Sequence, residues 1–157
     1  MPSSVETSPE PGPAARRRAM EAFAASDAPT LAAAWDAIAG ATEANSLRGP
    51  EAGLVMLRGR IGGSGAPFNL GEASVTRASV RLASGEVGHA MVLGRDTDHA
   101  RLAAQFDARW QRDDWRAAIE ARVVEPALAK QAAADRRSAE ETEATRVDFF
   151  TMVRGDD

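Results

Sequence analysis

The chain has no cysteine and no tyrosine, and only 5% of its 157 residues are aromatic. The lack of cysteine excludes disulfides, thiol nucleophiles and cysteine-ligated zinc. The net charge of -4 excludes a general positive field for binding nucleic acid. No stretch approaches the roughly 20 apolar residues of a membrane span, and residues 1–18 lack the apolar segment of a signal peptide. These absences predict a cytoplasmic protein that binds neither nucleic acid nor membrane.

Length and composition predict one domain with an extension at each end. A chain of 157 residues can bury one sizeable core and is short for two. Residues 1–13 hold four of the eight prolines, which predicts a disordered leader. A single α+β domain is predicted over residues 14–125, and a helical arm with an apolar tail over residues 126–157. Because Leu128 is the only large apolar residue in the alanine-rich part of the arm, we expect that part to pack weakly.

Helical periodicity appears on both sides of a glycine-rich middle. Two helices are predicted between residues 14 and 40, the second of them capped by the Asp27 carboxylate. Helix resumes after Gly94, where Asp96 is a second candidate cap. Pro126 is predicted to kink or break the last helix, because proline lacks an amide hydrogen and crowds the preceding turn.

Ten of the 13 glycines lie between Gly49 and Gly94, and the apolar pattern there alternates as in strands. The connections are too short for crossover helices, so this region predicts an antiparallel meander of about four strands. Ser84 and Gly85 predict a hairpin turn between two of them. A change of apolar parity predicts a bulge or bend near Arg77. The fold class is therefore α+β, with helices on both sides of the meander in sequence and an extended C-terminal arm.

The stretch "RGRIGGSGAPF" contains the candidate substrate-binding residues. A glycine-rich turn can bring backbone amides to a phosphate, but this spacing matches neither a P-loop nor a dinucleotide fingerprint. A plain hairpin connection is therefore favoured over an anion-contacting loop. Neighbouring arginines would add guanidinium groups for a triphosphate or phosphonate if their strands share a face; otherwise they are solvated or contact a partner. The candidates are Arg58, Arg60, Gly62, Gly63, Gly65 and Arg77.

No residue is assigned a catalytic or metal-binding role. His89 alternates with apolar residues, which predicts a core or interface histidine. His99 follows Asp96 and Asp98, where helix capping is favoured over a metal site. Ser79 and the other strand serines have no evident histidine partner.

The last residues, "TRVDFFTMVRGDD", form an apolar cluster where chain ends are usually polar. We expect this tail to anchor the chain in a groove or sheet edge of a partner, and the alternative is that it folds back on its own sheet. The candidate partner-binding residues are Val147, Phe149, Phe150, Met152 and Arg154.

Three segments together resemble the PhnG subunit of the bacterial carbon-phosphorus lyase system. They are "GLVMLRGRIGGSGAPFNLGEASVTRASVRL", "GHAMVLGRDTDHA" and "TRVDFFTMVRGDD", and they run in order from about Gly53 to Gly155.

The resemblance implies a cytoplasmic complex with PhnH, PhnI and PhnJ subunits. It implies that the complex transfers an alkylphosphonate onto C1 of the ribose of ATP with release of adenine, giving alpha-D-ribose 1-methylphosphonate 5-triphosphate. The nucleosidase chemistry is attributed in the family chiefly to PhnI, and ATP is then a substrate of the complex, with no cofactor on this chain. We therefore expect a structural or accessory subunit. The alternatives are a subunit that contributes substrate-binding residues at a shared interface, and an independent small-molecule binding protein.

Overall fold

A computed structural model describes residues 12–38 and 44–145. Five helices and three strands are present in these ranges. In chain order they are α1 (Pro13–Ala25), α2 (Ala28–Ile38), β1 (Ala44–Arg60), β2 (Pro67–Leu82), β3 (Val87–Leu93), α3 (Thr97–Trp110), α4 (Asp113–Ile119) and α5 (Glu125–Ala144). A 3-10 turn at Ile61–Gly63 follows β1, and a π-helical turn at Glu120–Val124 joins α4 to α5. The predicted leader lies largely outside the described residues, and the predicted tail lies outside them except for its first residue, Thr145.

The strands form one antiparallel sheet in the order β1-β2-β3, which confirms the α+β class and the meander. The described sheet has three strands rather than about four, because β2 continues through Gly71 without a break. One irregularity occurs there: pairing passes from Leu57 with Gly71 to Arg58 with Asn69, which leaves Leu70 as an extra residue in β2. Such a bulge bends a strand without ending it.

The bulge expected near Arg77 lies in the neighbouring strand. Arg77 pairs with Glu51 and Ser79 pairs with Arg48, so β1 has two residues where β2 has one. The pairing of β2 with β3 has no interruption over the same positions. The apolar residues of β2 change parity near Arg77 because they lie on both faces of the strand, and not because β2 is bent there.

The helices cover one face of the sheet. Thr76, Ala78, Val80 and Leu82 alternate along β2 and are buried on this face, which we call the helix-side face. Helix α3 packs directly across this face. Alanine is the commonest residue in the buried core between them, at seven of the 18 residues of the cluster. The few large side chains interlock: Phe106 stacks on Phe23 and meets Trp35 edge-on, with ring centroids 5.6 and 5.4 Å apart.

Both predicted caps are present. The Asp27 carboxylate accepts the Thr30 N–H at 2.8 Å, and the Asp96 carboxylate accepts the His99 N–H at 2.9 Å. At Pro126 the chain stays helical. The wider π-helical turn immediately before it replaces the predicted break, since such a turn can accommodate a missing amide and a crowding ring.

Helix α5 packs weakly, as expected. None of its residues is buried, and only Ala127 and Leu128, near its start, contact the core.

Candidate functional site

Part of the β1–β2 hairpin extends beyond the third strand. Strand β3 pairs with β2 only from Val75 to Arg81, so residues 54–60 and 67–74 pair only with each other. We call residues 54–74, with the turn between the strands, the ribbon. Six of its large apolar side chains are between 41% and 78% exposed: Leu54, Met56, Leu57, Ile61, Phe68 and Leu70.

Both faces of the ribbon are apolar. Leu54 and Met56 have the parity of Thr76 across the ladder and continue the helix-side face. Leu57 lies on the opposite face, which we call the outer face. Phe68 and Leu70 lie there too, since a Cβ built on Gly59 would be 3.6 Å from the Phe68 ring and 3.8 Å from the Leu70 Cβ. On the same outer face, β3 presents Met91 and Leu93, which are 52% and 76% exposed.

The candidate arginines do not form one group. Arg58 and Arg60 share the parity of Met56 on the ribbon, whereas Arg77 is on the outer face opposite Glu51. Seven residues of extended strand separate Arg58 from Glu51, or about 23 Å. Arg77 forms an ion pair with Glu51 at 3.1 Å, and Arg48 reaches the same carboxylate at 2.8 Å. A single phosphate site cannot use all three candidate arginines of one chain in this arrangement.

The glycine-rich loop is a hairpin connection, as favoured from the sequence. Gly62 and Gly63 have φ angles of 61° and 76°, a left-handed region that glycine adopts without strain. The Gly65 N–H donates to the Ile61 carbonyl at 3.1 Å and closes the turn. Arg60 Nη1 donates to the Gly65 carbonyl at 2.9 Å. Within the part of the chain that the structure describes, Arg58 has no hydrogen bond or ion pair, so its charge remains available at the ribbon.

The outer face also holds a pair that the sequence did not reveal. Ser79 Oγ and His89 Nδ1 are 2.9 Å apart, because the two residues are directly opposite in β2 and β3. His89 is exposed, so of the two expectations, a core or an interface histidine, the core histidine was wrong and the interface histidine stays a prediction. A serine nucleophile needs a third group that orients the histidine. In residues 12–38 and 44–145 no hydrogen bond reaches the other ring nitrogen, and the pair is a polar surface contact.

Beneath the sheet, Asp107 holds three elements together. This carboxylate is fully buried in α3 and accepts two hydrogen bonds from the Arg16 guanidinium of α1, at 2.9 and 2.7 Å. It also accepts the backbone N–H of His89 in β3 at 2.8 Å. The hydrogen bond to Asp107 raises the pKa of Arg16. With both its oxygens occupied by structural donors, Asp107 is a positioning group and is not available as a general base.

A second buried charge lies between tryptophans. Arg109 is 1% exposed, and its guanidinium carbon is 3.6 Å from the ring centroid of Trp35 and 5.1 Å from that of Trp115. Burial lowers the pKa of Arg109, although an arginine stays charged near neutral pH. This stacking fixes α2 and α4 against α3, so the buried charges of the domain are structural.

Among the described residues, no three histidines, aspartates or glutamates are placed to hold a metal ion. No helix there is both long and apolar enough to cross a membrane. The five partner-binding candidates of the tail, Val147 to Arg154, lie outside the described residues.

Two comparisons bear on the family of the chain. The family model described as "Phosphonate metabolism protein PhnG" matches residues 14–155. The chain belongs to the PhnG family. A curated relative from Rhizobium meliloti (strain 1021) is named "Alpha-D-ribose 1-methylphosphonate 5-triphosphate synthase subunit PhnG". The two sequences are 55% identical over 157 residues, and the alignment spans 100% of each chain. The match to the PhnG family model begins well before Gly53, where the recognisable motifs begin, and therefore includes α1, α2 and β1.

Proposed function

We propose that this chain is an accessory subunit of a synthase that makes alpha-D-ribose 1-methylphosphonate 5-triphosphate. In this proposal the complex transfers a phosphonate onto C1 of the ribose of ATP and releases adenine, and PhnH-, PhnI- and PhnJ-like subunits surround this chain in the cytoplasm. The name of the Rhizobium meliloti relative supports the assembly, since it describes a subunit of that synthase. The observation that carries the accessory role is the ribbon, whose exposed apolar side chains call for contact with another protein.

The test is reconstitution of the synthase with and without this chain. Adenine release from ATP and methylphosphonate is followed by chromatography, and assembly is followed by size-exclusion chromatography with light scattering. We expect the other subunits to lose most of their activity when this chain is omitted and to regain it when the purified chain is added. Full activity without this chain would contradict the proposal.

A second candidate role is that the chain contributes cationic groups to a substrate site shared with a partner. Arg58 supports this role, because its guanidinium has no partner within the described ranges and Arg60 is next to it along the same face of β1. Arg77 would have to act separately, because its charge is paired with Glu51.

The variant Arg58→Ala/Arg60→Ala separates the two roles. If the arginines contact substrate, the assembled synthase should show a KM for ATP or methylphosphonate raised at least about tenfold, which corresponds to about 1.4 kcal/mol of binding. Arg81→Ala is a matched control, since Arg81 is an exposed strand arginine outside the ribbon. Unchanged KM values in an assembled double variant would leave only the accessory role. Saturable binding of ATP to the lone chain in calorimetry would contradict a purely accessory role.

We further propose that the C-terminal segment is a partner anchor, with Phe149 and Phe150 as its main contacts. Its composition supports this proposal, since apolar side chains are concentrated there after a helix with no buried residue. Deletion of residues 146–157 should abolish assembly and leave the melting transition of the lone chain intact. If the deletion instead removes that cooperative transition, the segment belongs to the chain's own fold.

A further inference from the structure

The ribbon has more exposed apolar surface than a free two-stranded hairpin can sustain. Two strands without a third strand or a packed helix are marginally stable in water. In the described structure, the Gly94 N–H donates to the Ser74 carbonyl at 2.8 Å, at the base of the ribbon, and β3 pairs with no residue of the ribbon; Leu54, Ile61 and Leu70 are each more than 60% exposed. A long apolar strand edge of this kind promotes aggregation unless something covers it. Exposed apolar surface of this kind is typical of an interface.

The distribution of its apolar residues indicates the shape of the partner surface. Leu54 and Met56 are on the helix-side face, whereas Leu57 and Phe68 are on the outer face. A flat surface would cover one of these faces and leave the other in water. A cleft that encloses the ribbon covers both.

The charges of the ribbon indicate what lines that cleft. The ribbon contains Arg58, Arg60 and Glu72 and has a net charge of +1, while the chain as a whole has a net charge of -4. A symmetric contact between two ribbons would bring the same two arginines of both copies into one interface, which is electrostatically unfavourable. A different chain with carboxylates at the rim of an apolar cleft would complement them.

We propose that the ribbon inserts into an apolar, acid-rimmed cleft on another subunit of the synthase and is enclosed there on both faces. This inference rests on the proposed function for the identity of the partner as a synthase subunit. It is independent of the C-terminal anchor, because the ribbon is formed entirely by described residues.

The first test compares paired substitutions on the two faces. Leu57→Ser/Phe68→Ser alters the outer face, and Leu54→Ser/Met56→Ser alters the helix-side face. Each pair should weaken binding of the full-length chain to the co-purified remaining subunits by at least about 30-fold in Kd, the range of buried hot-spot residues. Leu47→Ser is the matched control, because Leu47 is a 49% exposed leucine of β1 outside the ribbon, and its Kd should change less than about threefold.

A charge reversal tests the acidic rim. Arg58→Glu should slow association and reverse the salt dependence of the association rate, since charges at an interface rim act mainly on encounter. Stopped-flow or surface-based kinetics at low and high salt measure both effects. An association rate unchanged by Arg58→Glu at low salt would refute the acidic rim.

A measurement on the unaltered chain keeps the proposal testable if a variant fails to fold. Hydrogen exchange of the ribbon amides should slow at least about tenfold in the assembled synthase relative to the lone chain. Loss of affinity for one face pair only would overturn enclosure, and unchanged exchange together with unchanged Kd values would overturn the interface. If the lone chain forms a dimer that the face variants dissociate, the occupant is a second copy and the proposal is wrong.

The two proposals fail differently. If the synthase is fully active without this chain while ribbon variants still reduce binding, the proposed function fails and the interface stands. If the synthase requires the chain but ribbon variants assemble normally, the proposed function stands and the interface is refuted.

Discussion

Replacement of Gly88 by alanine should displace α3 from the sheet. Gly88 is in β3 beneath this helix, and a Cβ at this position would be 2.0 Å from the Ala104 carbonyl oxygen and 2.5 Å from the Ala108 amide nitrogen. Both are backbone atoms, so no side-chain rotation can relieve the overlap. To restore a contact of about 3 Å, the helix and strand must separate by roughly 1 Å through a close-packed core.

Overpacking of a core costs about 1–3 kcal/mol, and the Gly88 overlap belongs at the upper end because the helix must move as a unit. A loss of about 3 kcal/mol corresponds to a fall in Tm of about 6–12 °C for a domain of this size. Urea unfolding followed by circular dichroism at 222 nm measures the free energy of unfolding. Gly53→Ala is the control, since no atom lies within 4 Å of its added Cβ, and should stay within about 1 kcal/mol. A Gly88→Ala variant equally close to the parent would refute the direct packing of α3 on β3.

Two further predictions concern charged groups. Asp107→Ala should lower the free energy of unfolding by about 3 kcal/mol, which is the lower end for a broken buried pair because the Arg16 side chain is 32% exposed and stays partly hydrated. Asp107→Asn should lower it less, since the asparagine amide oxygen can still accept the His89 N–H. Equal losses of the two variants in urea unfolding would contradict this ordering. The Thr30 hydroxyl, and after it the Thr30 amide, hold the pKa of Asp27 below its ordinary value of 3.8, so the stabilisation is present above about pH 4 and is lost as pH falls through the lowered pKa. The stability difference between the parent and Asp27→Asn, measured as Tm, should therefore shrink from pH 7 to pH 3, and a difference independent of pH would count against the charged cap.

The helical parts of the fold were accessible from the sequence because their determinants are local. Asp27 and Asp96 each precede a helix by one residue, and an N-cap carboxylate accepts a backbone N–H only two or three residues further on. The apolar stripe that includes Leu31 and Trp35 has the helical period, so the inward side of α2 followed directly. The π-helical turn before Pro126, where the sequence predicted a kink or break, depends on the packing of both flanking helices. No local sequence pattern predicts that packing.

Strand register was less accessible, because it depends on turn length. A two-residue turn at Ser84 and Gly85 would set Ser79 opposite Ala90. The structure instead has three residues between Leu82 and Glu86, with Gly85 at a φ of 109°, and Ser79 is opposite His89. A shift of one residue moves each side chain of a strand to the other face. The Ser79–His89 contact was invisible for this reason alone.

The same limit explains why the arginines could not be grouped from the sequence. Whether Arg58 and Arg77 share a face depends on whether the loop between their strands has an odd or an even number of residues, and on any bulge in the ladder. The turn after β1 and the extra residue Leu70 set both quantities. The sequence showed arginines of the type that can contact phosphate, but only the strand register shows that Arg77 is on the other face from Arg58 and Arg60.

The sequence of the ribbon and its position in the fold indicate different degrees of burial. A strand such as "LVML", apolar at successive positions, is typical of a strand buried on both faces. In this fold its residues pair with the part of β2 that β3 does not reach, and three of its four side chains are more than 40% exposed. The pattern and the fold agree if another chain buries the ribbon, as proposed above. Under that proposal, the apolar pattern of β1 describes the assembled protein, and the exposed ribbon describes the subunit before assembly.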